Sequence, residues 1–171
     1  MGVVLSTVTP PFSVAELDMG RKRAMERAGS EPKLIFPGLA GFYASVADLW
    51  YPMIRIAAGS FLFVHGWGKL AAGQFTIAPT LAKYGIEPSG PLGYVVVFNE
   101  TIGALCVLLG LGTRFFAAAI AIEMAVIAFV AKRPLGFGQM ELFLLTGIVF
   151  FAIALRGGGP YSLDRKIGTE L

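Results

Sequence analysis

Four apolar stretches in a chain of 171 residues are each long enough to cross a bilayer, and each has an ionisable residue in or near it. Arg55, His65 and Lys69 fall in the first, Glu100 in the second, Glu123 in the third and Glu141 at the mouth of the fourth. A charge at the centre of a membrane helix costs about 2.5–3.5 kcal/mol even on mild scales, so it persists where it faces a partner or a wet cavity. The expected fold is all-α, a membrane-spanning four-helix bundle with its working parts on the inside.

Composition agrees: 56% hydrophobic and 15% charged residues, with mean hydropathy +0.71, exceed what a soluble domain of this length can bury. The net charge of +3 does not indicate nucleic acid, because the basic residues sit at helix ends and in the tail and form no stripe interleaved with aromatics. The lipid bilayer is the expected partner. Cys106 and His65 are each the only residue of their kind. One chain therefore cannot build a disulfide framework, an iron–sulfur cluster, a structural zinc site or a bis-histidine haem. No metal and no covalently bound cofactor is expected, and any electrons arrive on a mobile carrier or from another subunit. Cys106, inside IGALCVLLG, reads as an inert core residue.

Residues 1–48 read as a polar, partly basic tail and an interfacial segment. Ser13 with Glu16 opens a short surface helix carrying Arg21, Lys22, Arg23 and Arg27, either a juxtamembrane basic patch or a solvated tail. LIFPGLAGFYASVADLW is broken at Pro37 and Gly38 and suits the interface, with Trp50 and Tyr51 at the headgroup boundary. The membrane domain occupies 49–171, with spans at about 49–70, 91–111, 114–132 and 139–156. GLGTR turns the second span into the third, KRPLGFGQ separates the third from the fourth, and RGGGPYSLDR ends the last. Lys and Arg gather on the side of the termini, at Arg114, Arg156, Arg165, Lys166 and the tail, against Lys69, Lys83, Lys132 and Arg133 opposite. Both termini are thus expected on the cytoplasmic side.

At 100° per residue, Arg55, Gly59, His65, Gly66 and Lys69 share one sector of the first helix, and Glu100, Gly103 and Gly110 share one side of the second. The two helices are expected to face each other, with the glycines allowing close approach. His65, Lys69 and Glu141 then form an outer vestibule above Glu100 and Glu123, which Arg55 partly neutralises. Two carboxyls buried near one another do not both ionise easily, so one is expected to hold a proton. Alternatively, Arg55 and Glu100 pair only to fix helix register. Arg114 begins the third helix and snorkels to water.

The spacing of Arg55, His65-Gly66, Lys69-Leu70, the pair Glu100 and Gly103, Leu109-Gly110 with Thr113-Arg114, and the closing Gly157 to Asp164 resembles the DoxX family of small four-helix membrane proteins, which includes the DoxD-like subunits of thiosulfate:quinone oxidoreductase. The tail of 1–48 is longer than that family's usual lead-in. The resemblance implies a multi-pass protein of a bacterial or archaeal cytoplasmic (inner) membrane, associated with redox enzymes and working with a protein partner. Three readings follow. The first is an auxiliary subunit of a membrane redox complex offering a quinone-like ligand a site lined by His65, Lys69 or Glu100. The second is a proton-coupled transporter or binder of a small solute or lipid, with Glu100 and Glu123 as relay. The third is a purely structural assembly subunit.

Overall fold

The computed structural model describes residues 18, 19, 22 and 34–168. The surface helix expected from Ser13, with Arg21, Arg23 and Arg27, lies outside the described residues; Lys22 pairs with Asp18 at 3.3 Å on an exposed surface. The chain divides into two compact units, the first ending at Ser45 and the second beginning at Val46. In the first, a 3-10 turn at Pro37–Leu39 enters α1 (Ala40–Val46), and Ile35, Phe36, Phe42 and Tyr43 are all exposed.

The second unit runs α2 (Trp50–Ala71), α3 (Ala78–Lys83), α4 (Ser89–Leu109), α5 (Thr113–Leu135), α6 (Phe137–Arg156) and α7 (Leu163–Ile167), with no strand among the described residues. Helices α4, α5 and α6 are long and apolar enough to cross a membrane. Four such spans were expected. Although α2 has 22 residues, about 33 Å at the helical rise, it falls short in apolarity, and Arg55, His65 and Lys69 are the residues that lower it. The chain is an all-helical, multi-pass membrane protein. Gly110 and Gly112, with φ of +74° and +55°, turn α4 into α5 through left-handed conformations that a side chain disfavours.

Two of the long helices are not α-helical throughout. A π segment occupies Asn99–Gly103 in α4 and another Ile127–Lys132 in α5. Such wide turns rotate the residues after them relative to those before, which a uniform 100° projection misses.

Leu62, Ala104, Val107, Ala117, Ile120, Met124, Phe150 and Ile153 form the core. Around it α2 lies closely on α4. A Cβ at Gly59 would stand 2.9 Å from Leu108, and one at Gly66 would enter the backbone of Glu100. These two glycines act as expected. Gly103, beyond the first turn of the π segment, instead faces Phe116 of α5. Helices α5 and α6 pack along their lengths, whereas α2 and α6 touch sparingly.

Gly66→Ala, which forces α2 away from the Glu100 backbone, is expected to lower thermal stability in mild detergent by about 1–3 kcal/mol. Gly68→Ala, where a Cβ meets nothing within 4 Å, is expected to be neutral or slightly stabilising. Equal melting temperatures for the two variants would contradict the packing described.

Candidate functional site

Of the expected site residues, Arg55 lies furthest from its anticipated place. It does not pair with Glu100. Its guanidinium donates to the carbonyls of Gly158 at 2.9 Å and Tyr161 at 2.6 Å, both in the loop after α6. A Cβ at Gly110 would collide with this guanidinium, so the turn must be bare where the arginine passes. Tyr51 donates its hydroxyl to the Gly157 carbonyl. Asp164 accepts from the Gly112 N–H at 2.7 Å, the Thr113 N–H at 3.0 Å and the Thr113 hydroxyl at 2.7 Å. Arg114 does more than snorkel: its guanidinium donates to the carbonyls of Ala154, Leu155 and Arg156 that end α6. Arg156 lies 4.6 Å from the Tyr51 ring centre and 4.9 Å from that of Trp50. The motif residues Arg55, Gly110, Arg114 and Gly157 to Asp164 are thus parts of one clamp that joins α2, the α4–α5 turn and the end of α6. Burial alone would raise the Asp164 carboxyl, but the bonds from Thr113 and Gly112, with Arg55 nearby, hold it below the ordinary aspartate value.

Near the opposite end of α2, Lys69 forms an ion pair with Glu100, whose side chain is 3% exposed against 20% for the lysine. Gly66, three residues before Lys69, permits this, because α2 there lies directly on the α4 backbone. Next to Glu100 in the π segment, Asn99 donates its amide N–H to Glu123 Oε2 of α5 at 3.2 Å. Thr101 turns its hydroxyl back to the Val97 carbonyl at 2.6 Å. The result is a polar line, Lys69–Glu100 and Asn99–Glu123, laid across three helices at membrane depth. The sequence reading missed Asn99. Its signal was there, since Asn-Glu-Thr at 99–101 interrupts an otherwise apolar run.

This line forms part of the wall of a half-open cavity of about 620 Å³, lined elsewhere by apolar side chains such as Ile77, Leu81, Val96, Ile122 and Val126. Polar side chains from α2, the loop after it, α3 and α5 complete the lining, among them Lys69, Gln74, Tyr84 and Lys132. A second cavity of about 550 Å³ runs between α2 and α6, lined almost wholly by residues such as Phe61, Leu62, Leu145 and Phe150. His65, Glu100 and Phe143 line both cavities and so stand between the two. Glu141 is exposed and lines neither, so the vestibule expected of His65, Lys69 and Glu141 is built without the glutamate. Both volumes lie in the range of small-molecule sites, and an apolar chamber with a few convergent polar groups is the usual form of one.

The DoxX family model matches residues 51–133. This segment belongs to the DoxX family. The DoxX segment contains Arg55, His65, Lys69, Asn99, Glu100 and Glu123, and it ends before α6 and the loop that Arg55 holds. No curated protein and no solved structure shows a significant match to the chain.

Two predictions test these polar groups. Lys69→Met leaves a buried carboxyl unpaired and is expected to cost about 3 kcal/mol in detergent unfolding, whereas Lys69→Met combined with Glu100→Gln recovers most of it. Because the folded state holds Asp164 below its ordinary value, its contribution is complete above about pH 4 and is lost as pH falls through the lower folded value. Asp164→Asn is therefore expected to lower stability at pH 7 by roughly 2 kcal/mol, and to lose less on acidification than the parent. An unchanged acid profile would remove Asp164 from the clamp's energetics.

Proposed function

We propose that the chain is an auxiliary subunit of a membrane redox complex, and that its bundle offers a site to an amphipathic, quinone-like carrier. The observation that carries this reading is the pair of cavities that share His65, Glu100 and Phe143 in their walls. A headgroup fits the chamber with the polar wall, and an apolar tail fits the groove between α2 and α6, where the helices touch sparingly and a ligand dissolved in the bilayer can enter. Buried charges, and a lone histidine beside a close helix contact, suit hydrogen bonding to such a head. In this reading α2 is the fourth crossing. Both termini lie on the cytoplasmic side of a bacterial or archaeal inner membrane, as the lysine and arginine distribution favours. Helix α6, with 11% of its apolar window buried, offers the partner subunit a face.

A second reading, proton-coupled movement of a small solute, draws support from the two π segments, since such segments recur at functional sites and mark where helices shift register. Glu100 and Glu123 are its relay.

The test is purification of the tagged chain from its own membranes in mild detergent, with mass spectrometry of co-purifying proteins, lipids and quinones, repeated for Glu100→Gln. A stoichiometric oxidoreductase partner and a bound quinone that the variant loses are expected. A parent chain that emerges alone and quinone-free overturns the redox reading and moves attention to proton flux in liposomes.

A further inference from the structure

Four polar side chains of the chamber wall engage one another. Lys69 and Glu100 hold each other, and the Asn99 amide is taken by Glu123 Oε2. Oε1 of Glu123 is different: it is buried and has no hydrogen-bond partner among the described residues. The residue is 8% exposed and lines the chamber beside Ala119, Ile122, Val126 and Ile127. A buried polar oxygen left in this way is a cost to the fold, which a ligand atom bonding to it recovers.

The sign of that bond follows from counting charges. The titratable groups that share the chamber with Glu123 are Glu100 of α4, Lys69 and His65 of α2, Tyr84 after α3, and Lys132 on its own helix. Lys132 lies nine residues further along α5, about 13 Å at the helical rise, and its ammonium sits 5.5 Å from the Phe143 ring centre. One ammonium, Lys69, therefore stands near two carboxyls and is bound to Glu100. A second carboxylate in this apolar wall, with only an amide for company, takes up a proton rather than bear an uncompensated charge. As a neutral acid Glu123 would accept from Asn99 at Oε2 and carry its hydroxyl at Oε1.

We propose that Glu123 is the hydrogen-bond donor that recognises the ligand, and that the ligand's head presents a carbonyl oxygen to it. This rests on the reading of the cavity as a ligand site and deepens it. The role passes from Lys69 and Glu100, which satisfy each other, to a residue on the third of the polar-bearing helices. A ring ketone and an acyl ester share the required chemistry.

Native mass spectrometry of the full chain released from mild detergent tests this with three probes. Decylnaphthoquinone carries the acceptor, decylnaphthalene has the same outline without it, and methyl palmitate carries an ester carbonyl on an acyl chain. The parent is expected to bind the naphthoquinone about tenfold more tightly than the naphthalene. Glu123→Gln, which keeps an N–H donor, retains the preference; Glu123→Leu abolishes it while still binding the naphthalene. Displacement of the naphthoquinone by an equal concentration of methyl palmitate supports the carbonyl rule and assigns it to lipid esters, and failure to displace supports it for ring ketones. Equal binding of naphthoquinone and naphthalene by the parent, a comparison that needs no variant, overturns the inference and leaves the cavity as a site. A preference that survives in Glu123→Leu also overturns it. Binding of no probe by the parent overturns the cavity reading as well.

Discussion

The approach of α2 to α4 at Gly66 governs the polar interior of this protein. With no side chain there, one helix rests on the other's backbone at Glu100. Lys69, just under a turn further on, then meets a carboxylate that is almost wholly buried. Because Glu100 is held by Lys69, Asn99 beside it is left to reach across to Glu123. A larger residue at position 66 would part α2 from α4 and pull Lys69 away from Glu100. The carboxyls can lie at membrane depth because this contact fixes where their partners stand.

The charges at the two ends of the bundle do different work. At the Arg114 end, the terminal nitrogens of Arg55 and Arg114 donate to backbone carbonyls, and Asp164 accepts from backbone amides and the Thr113 hydroxyl. Such contacts leave little to rearrange. At the Lys69 end, side chains pair with side chains and border open volume, and the helices that carry Asn99 and Glu123 both contain π turns. Such wide turns are frequent at functional sites, and here they flank the cavity.

Much of the architecture was legible in the sequence. The helix ends, the turn at 110–112, and the shared face of Arg55, Gly59, Gly66 and Lys69 follow from hydropathy, glycine placement and helical periodicity. What escaped has physical causes. Arg55 was assigned to Glu100 because charge complementarity was sought among side chains, whereas its partners are carbonyls of a glycine-rich loop whose path no periodicity encodes. Gly103 was placed toward α2 because π turns leave no signature in composition. Glu141 was placed in the vestibule by depth alone, although depth does not say which way a helix turns its residues.

The clamp around Arg55 also imposes an order on assembly. Its acceptors, Gly158 and Tyr161, and the carboxylate of Asp164 lie more than 100 residues after the arginine and are synthesised after it. Until that loop is made, the guanidinium has none of these acceptors. Helix α2 is thus fastened by a segment far from it in sequence, and a chain lacking Gly158 and Tyr161 leaves the guanidinium without these two bonds.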